Sequence, residues 1–231
     1  MKNIILLTAS LFFYAWGEPV YIALMLFSIF FNYGAGRVLD MRNNRGKRRA
    51  FFGIALAVNL LLLAFFKYAD FLILILNQVF GIGAAPLNLP LPIGISFYTF
   101  QVLSYLADLY RGKVRVQKNW LDFAVYIAMF PQLIAGPIVR LQSVENNLHE
   151  RCHSMALFAS GIRRFAVGLG KKVLLANQAG VLWDTVTAGP ASEISAATAW
   201  IGILGFTFQI YFDFSGYSDM AIGLGKMFGF E

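Results

Sequence analysis

The chain has 231 residues, of which 58% are hydrophobic and only 13% charged, against about 25% charged in an ordinary soluble domain. So few charges cannot cover a water-facing surface of this size, which excludes a soluble globular domain and requires apolar helices in lipid. The net charge of +7 does not indicate nucleic acid, because the cations cluster between apolar runs: Arg37, Arg42, Arg45, Lys47, Arg48 and Arg49 in one break, and Arg111, Lys113, Arg115 and Lys118 in another, the positive-inside pattern.

Met1-Lys2 followed by the apolar run Asn3–Trp16 has the outline of a signal peptide, but no small-x-small cleavage site follows. Gly17-Glu18-Pro19 instead reads as a tight turn into a second apolar segment, Pro19–Gly36. Ala50–Phe66, Phe71–Ala85 and Ile93–Ala107 follow. Period-2 alternation of the barrel kind is absent, so these segments are helices. If both basic loops are cytoplasmic, an even number of crossings must separate them, yet three apolar runs do. Phe71–Ala85 would cover only about 22 Å as a helix, against a hydrocarbon core of about 30 Å, and is therefore expected to be re-entrant or interfacial.

Leu89-Pro90-Leu91-Pro92 marks a break, and a helix is expected from near Ile93 to Tyr110. Phe123–Phe130 is apolar again; Pro131 breaks or kinks it and Gly136-Pro137 ends it. Arg140–Arg151 is the most polar stretch of the second half and reads as a solvated loop. His149 and His153 in or beside it complete no HExxH motif, and the single cysteine, Cys152, excludes a disulfide within the chain and a cysteine-based metal cluster. Neither a metal site nor a Ser-His-Asp arrangement can be argued from spacing.

Ala156–Ala176 carries Arg163, Arg164, Lys171 and Lys172 among apolar residues at helical spacing, as in a basic amphipathic helix lying in the interface. Gly168-Leu-Gly170 and Gly223-Leu-Gly225 complete no nucleotide motif and read as sites of close helix packing. Ile194–Phe212 is the last long apolar segment, and Met220–Phe230 is a further one. Between them lies a polar run containing Gln209, Tyr211, Asp213, Ser215, Tyr217 and Asp219. Two compatible readings stand. These side chains face an internal polar cavity, as ionisable groups at membrane depth often do, or Ser215 caps a helix starting at Gly216, with Asp219 favoured at its positive end. The residues thus describe an all-α, polytopic transmembrane helical protein with re-entrant or interfacial helices, a single membrane-embedded domain over 1–231.

Three motifs carry a resemblance. Leu91-Pro-Ile-Gly-Ile-Ser-Phe-Tyr98 through Asp108-Leu-Tyr-Arg-Gly112, Phe130-Pro-Gln-Leu-Ile-Ala-Gly-Pro137-Ile-Val-Arg140, and Tyr211-Phe-Asp-Phe-Ser-Gly-Tyr-Ser-Asp-Met-Ala-Ile-Gly-Leu-Gly225 resemble the membrane-bound O-acyltransferase superfamily. The last is characteristic of the bacterial branch that contains alginate O-acetyltransferase and the teichoic-acid D-alanyl transfer protein, and the likeness is closer to the alginate type. It extends to Phe13-Tyr-Ala-Trp16 and Phe65-Phe-Lys-Tyr-Ala69.

The resemblance implies helices around a polar tunnel in the cell inner (cytoplasmic) membrane. It implies transfer of an acyl group, usually acetyl, from a cytoplasmic donor such as acetyl-CoA or an acyl carrier toward an extracellular polysaccharide such as alginate. Accessory periplasmic or extracytoplasmic acetyltransferase proteins are implied as partners beside the lipid bilayer, with no bound cofactor and no metal. Pro137, Arg140, Gln209, Asp213, Ser215, Tyr217 and Asp219 match motif positions and become the candidates for lining the tunnel. Asp213 and Asp219 could hold a catalytic histidine or its helix, and Arg140 could attract an anionic group at a tunnel mouth. The family's histidine belongs to a Trp-His-Ile-Ser-like segment downstream of the motif that ends near Phe230, beyond Glu231, and neither His149 nor His153 matches it. The expectation is therefore a piece lacking both ends of the family pattern, with no catalytic residue and no transferase activity of its own. The competing reading, a transporter or flippase with a polar midplane site, calls for paired broken helices in two related halves, and the sequence shows no such symmetry.

Overall fold

The computed structural model describes residues 2–41, 44–133, 136, 139–151 (without the His149 side chain), 153–190 and 194–230. Pro137 and Cys152 lie outside the described residues. Among the described residues there are helices and no strands. The chain divides into two compact units, Met1–Ile134 with Ile138–His149, and Ala135–Pro137 with Glu150–Glu231.

The first unit opens with α1 (Lys2–Gly17) and α2 (Ile22–Met41), separated by the expected turn. Helix α3 (Arg45–Phe80) starts where the Asn44 side chain accepts the N–H groups of Gly46 and Lys47 at 3.0 and 3.2 Å. It ends at Gly81, whose φ of 64° is a left-handed C-cap donating to the Asn77 carbonyl. The segment expected to be re-entrant is thus not a separate element: Phe71–Phe80 is the last part of α3, and only Gly81 onward is irregular. The physical reason is that Lys67 and Asp70, which divide the apolar runs in sequence, do not interrupt a helix. A residue free to adopt positive φ does. Asp70 instead accepts the backbone N–H groups of Leu87 and Asn88 at 2.6 and 3.1 Å, tying the following segment back along α3. Two helices, α3 and α4, rather than three apolar segments, then lie between the basic stretches.

Helix α4 (Ile95–Tyr110) begins after Gly94, at φ 76°, where a Cβ would sit 2.5 Å from the Leu133 carbonyl oxygen; both conformation and space demand glycine. Helix α5 (Trp120–Ala128) is capped by Asn119 and is almost wholly buried from Phe123 to Ala128. The chain breaks at Met129 and resumes as α6 (Phe130–Leu133), with Pro131 in the first turn, where its missing N–H has no helical partner to lose. Leu141–His149, read from sequence as part of a solvated loop, is helix α7: Leu141, Val144 and Leu148 form a buried stripe that outweighs the polar composition.

The core of this unit is aromatic and polar at once. Tyr98, Tyr105, Phe123 and Tyr126 fill it, and the Gln101 and Gln132 amides both donate to the Tyr126 carbonyl at 2.6 Å. Asn32 on α2 and Asn59 on α3, both buried, exchange reciprocal amide bonds of 3.0 and 2.8 Å, which fixes the register of the two helices. Among the described residues, α2 and α3 are the helices long and apolar enough to cross a bilayer. Leu61, Phe71, Leu74 and Val79 are exposed along α3, an apolar surface suited to lipid.

The second unit is a helical rod packed on one long helix. The rod comprises α8 (Met155–Gly170, capped by Ser154), a π-helical segment (Lys171–Ala176) and α9 (Asn177–Thr187). The partner is α10 (Ala196–Met227), capped by Ser195. The basic stretch Ala156–Ala176 is therefore not a free-standing amphipathic helix, and Met220–Phe230 is not a separate segment. The polar run Gln209–Asp219 is the interior of α10, so Ser215 caps nothing, and that local reading is corrected by an unbroken helix through Gly216.

Candidate functional site

Contact between the rod and α10 depends on glycine. A Cβ on Gly161 would approach the Gly223 carbonyl to 2.6 Å, and one on Gly168 the Gly216 carbonyl to 2.5 Å; the reverse distances are 2.7 and 2.8 Å. The helices run antiparallel and nearly touch backbone to backbone, as small residues permit between apolar helices. Of the glycines singled out in the sequence, Gly168 and Gly223 pack in this way. Gly170 meets nothing within 4 Å.

Close approach brings long side chains of the rod over the carboxylates of α10. Lys171 Nζ donates to Asp219 Oδ2 at 2.6 Å and to Ser215 Oγ at 3.0 Å, while Arg164 Nε donates to Asp219 Oδ1 at 3.0 Å. Lys172 Nζ bonds Asp213 Oδ1. The adjacent Lys171 and Lys172 both reach α10 because they begin the π-helical segment, whose backbone lies against Gly216: a Cβ there would meet Lys172 N at 3.1 Å and Lys171 Cβ at 3.3 Å.

Asp213, Ser215 and Asp219 are thus brought together, by cations the sequence reading had assigned to a headgroup layer. Gln209 packs on α9, its Nε2 lying 2.7 Å from where a Gly180 Cβ would be, and its Oε1 is buried without a hydrogen-bond partner. Tyr217 is half-buried on α10, and Arg140 is exposed ahead of α7 in the first unit, its carbonyl accepting from Ser143. Pro137 lies outside the described residues. What sequence reasoning missed is the set Arg164, Lys171 and Lys172 as partners of Asp213 and Asp219. A signal was available: Gly161 and Gly168 on the basic stretch repeat at the same interval as Gly216 and Gly223 on the acidic one.

Chemically, both oxygens of Asp219 are engaged by cations, which suits it to holding helices in register and unsuits it to taking a proton. Among the described residues no group of three or more histidine, cysteine or acidic side chains could hold a metal ion.

No protein-family model matches the chain. Over its whole length it is 41% identical to the probable alginate O-acetylase AlgI of Azotobacter vinelandii, covering 47% of that relative. It is 42% identical to the protein of the same name from Pseudomonas aeruginosa, again over the whole chain, covering 45% of it. It is 35% identical, over 98% of its length, to the peptidoglycan O-acetyltransferase of Helicobacter pylori, covering 48% of that protein. The chain spans about half the length of the curated relatives it matches.

Proposed function

We propose that this chain, homologous along its whole length to bacterial O-acetyltransferases of the membrane-bound O-acyltransferase superfamily, is part of a multi-pass inner-membrane O-acyltransferase. The activity is transfer of an acetyl group, from acetyl-CoA or an acyl carrier on the cytoplasmic side, toward O-acetylation of an extracellular polysaccharide such as alginate. Accessory extracytoplasmic acetyltransferase proteins complete the pathway. The observation that carries this reading is the identity of 41–42% over the whole of this chain with alginate O-acetylases, which includes the motif in the second half of α10.

In this reading Pro137, Arg140, Gln209, Asp213, Ser215, Tyr217 and Asp219 line or support a tunnel for the acyl group. Gln209 supports it most directly, since its buried unpartnered Oε1 calls for a donor. Asp213 and Asp219, paired with Lys172, Lys171 and Arg164, act as positioning residues that keep α10 against α8. Acyl transfer also requires a base for the proton of the acceptor hydroxyl. It is assigned to no residue of this chain: the carboxylates of the cluster are paired, and His153 lines a surface recess. The transporter reading gains no support from α10, which carries the polar run without a break.

The test is a chimera in which this chain replaces the matching segment of the Azotobacter relative. Membrane-inserted chimera should restore ester-linked acetate on the polymer, and inserted protein with no restored acetate would overturn the reading.

A further inference from the structure

The α8–α10 pair holds more positive charge than its carboxylates use. Beside the Arg164–Asp219–Lys171 cluster lies an open recess of about 350 Å³ lined by Ser160, Arg163, Arg164, Val167, Asp219 and Lys226. Asp219 is the one carboxylate of this lining, and both its oxygens are already engaged. Arg163 and Lys226 form no ion pair with a carboxylate among the described residues. Lys226 Nζ donates to Ser160 Oγ at 3.3 Å, which leaves the serine hydroxyl proton free to point into the recess. Cations with spare charge, converging with a hydroxyl donor beside a neutralised carboxylate, are the chemistry that recognises a multiply acceptor-bearing anion.

We propose that Arg163, Lys226 and Ser160 form a binding site for a phosphate group, with Arg164 completing its wall. The site goes beyond the acyl-transfer reading and does not depend on it: Arg163, Lys226 and Ser160 have no part in that reading, and only its border, Asp219 with Arg164, is shared. The surroundings match a phosphate ester better than a free ion. Lys226 is shared with a second recess, of about 230 Å³, where exposed Met155 and Phe158 offer an apolar surface next to the cations. A phospholipid headgroup with its glycerol and upper acyl chain, and a soluble phosphate ester, share the phosphate chemistry and differ in what they ask of Met155 and Phe158.

Binding to the detergent-solubilised chain is measured by calorimetry with three probes: dihexanoyl phosphatidylglycerol, dihexanoyl phosphatidylcholine and glycerol 3-phosphate. Phosphatidylglycerol binding that Arg163→Gln and Lys226→Gln each weaken about fivefold supports the site with a lipid source. Glycerol 3-phosphate binding with the same dependence, and no gain from acyl chains, supports it with a soluble source. Arg49→Gln, a cation near the start of α3 in the other unit, should leave the affinity unchanged. Lys226→Arg, which keeps the charge, should bind within about twofold of the parent and carries the test if Lys226→Gln does not fold. Absence of binding by both anionic probes overturns the proposal. Equal binding of phosphatidylcholine with the same dependence on Arg163 and Lys226 supports a lipid phosphodiester as the source whatever the headgroup, while insensitivity to Arg163→Gln or an equal loss in Arg49→Gln overturns the proposal.

Discussion

Asp213 and Asp219 lie on the same helix and each is paired with a lysine, but their surroundings differ. The Asp219 side chain is 17% exposed and held by Lys171 and Arg164, while that of Asp213 is 46% exposed and held by Lys172, itself 40% exposed. The second pair is the more exposed, and pairs open to solvent contribute about 0–1 kcal/mol. Removing the first carboxylate leaves two cations short of a partner in a partly buried place, for which about 1–3 kcal/mol is the expected range. Asp219→Asn should therefore destabilise the second unit clearly more than Asp213→Asn. Unfolding free energies of the purified variants in mixed micelles check this, and the opposite order would show that solvent exposure does not control these pairs.

At the scale of elements, the contact of α8 with α10 turns on single hydrogen atoms. A Gly168→Ala methyl would lie 2.5 Å from the Gly216 carbonyl and 2.7 Å from Met220 N, both backbone atoms, so the helices must separate. The expected loss is about 1–3 kcal/mol, as for other overpacked sites. Gly170→Ala, two residues away, meets nothing within 4 Å and sits at helical φ, so it should be neutral or stabilising by up to about 1 kcal/mol. Thermal unfolding of the two variants separates a packing glycine from an incidental one. Equal behaviour would mean that α8 and α10 do not approach this closely. The same separation pulls Lys171 and Arg164 from Asp219, so Gly168→Ala should also abolish most of the difference made by Asp219→Asn.

For the whole molecule, the decisive feature is that α3 is one helix. Its 36 residues correspond to about 54 Å at 1.5 Å per residue, more than the hydrocarbon thickness, so the helix is long enough to put its two ends on opposite sides of a membrane, and that is the expected arrangement. With Cys152→Ser as background, Lys47→Cys and Ala84→Cys should label from opposite faces with a membrane-impermeant thiol reagent. Labelling from one face would restore the re-entrant arrangement. Lys67 and Asp70 divide the apolar runs of α3 without dividing the helix. Hydropathy reports what each side chain prefers as solvent, while helix ends are decided by backbone, and the backbone signal was legible at Gly81 and Gly94 as it was at Pro131. Leu141–His149 failed in the other direction: three buried apolar residues suffice for a helix when a core is there to receive them.

The helical class and the need for an apolar solvent could be read from the residues alone, because both are sums over local preferences that no partner can reverse. So could the turn at Gly17–Pro19, the helix from near Ile93 to Tyr110 and the packing role of Gly168 and Gly223, since missing side chains and restricted φ act where they stand. Which cation meets which carboxylate was decided only by the tertiary structure. Arg164, Lys171 and Lys172 look outward on any helix drawn by itself. They become partners of Asp213 and Asp219 because glycines let α10 come close enough, and a pairing between distant segments has no representation in the periodicity of either one.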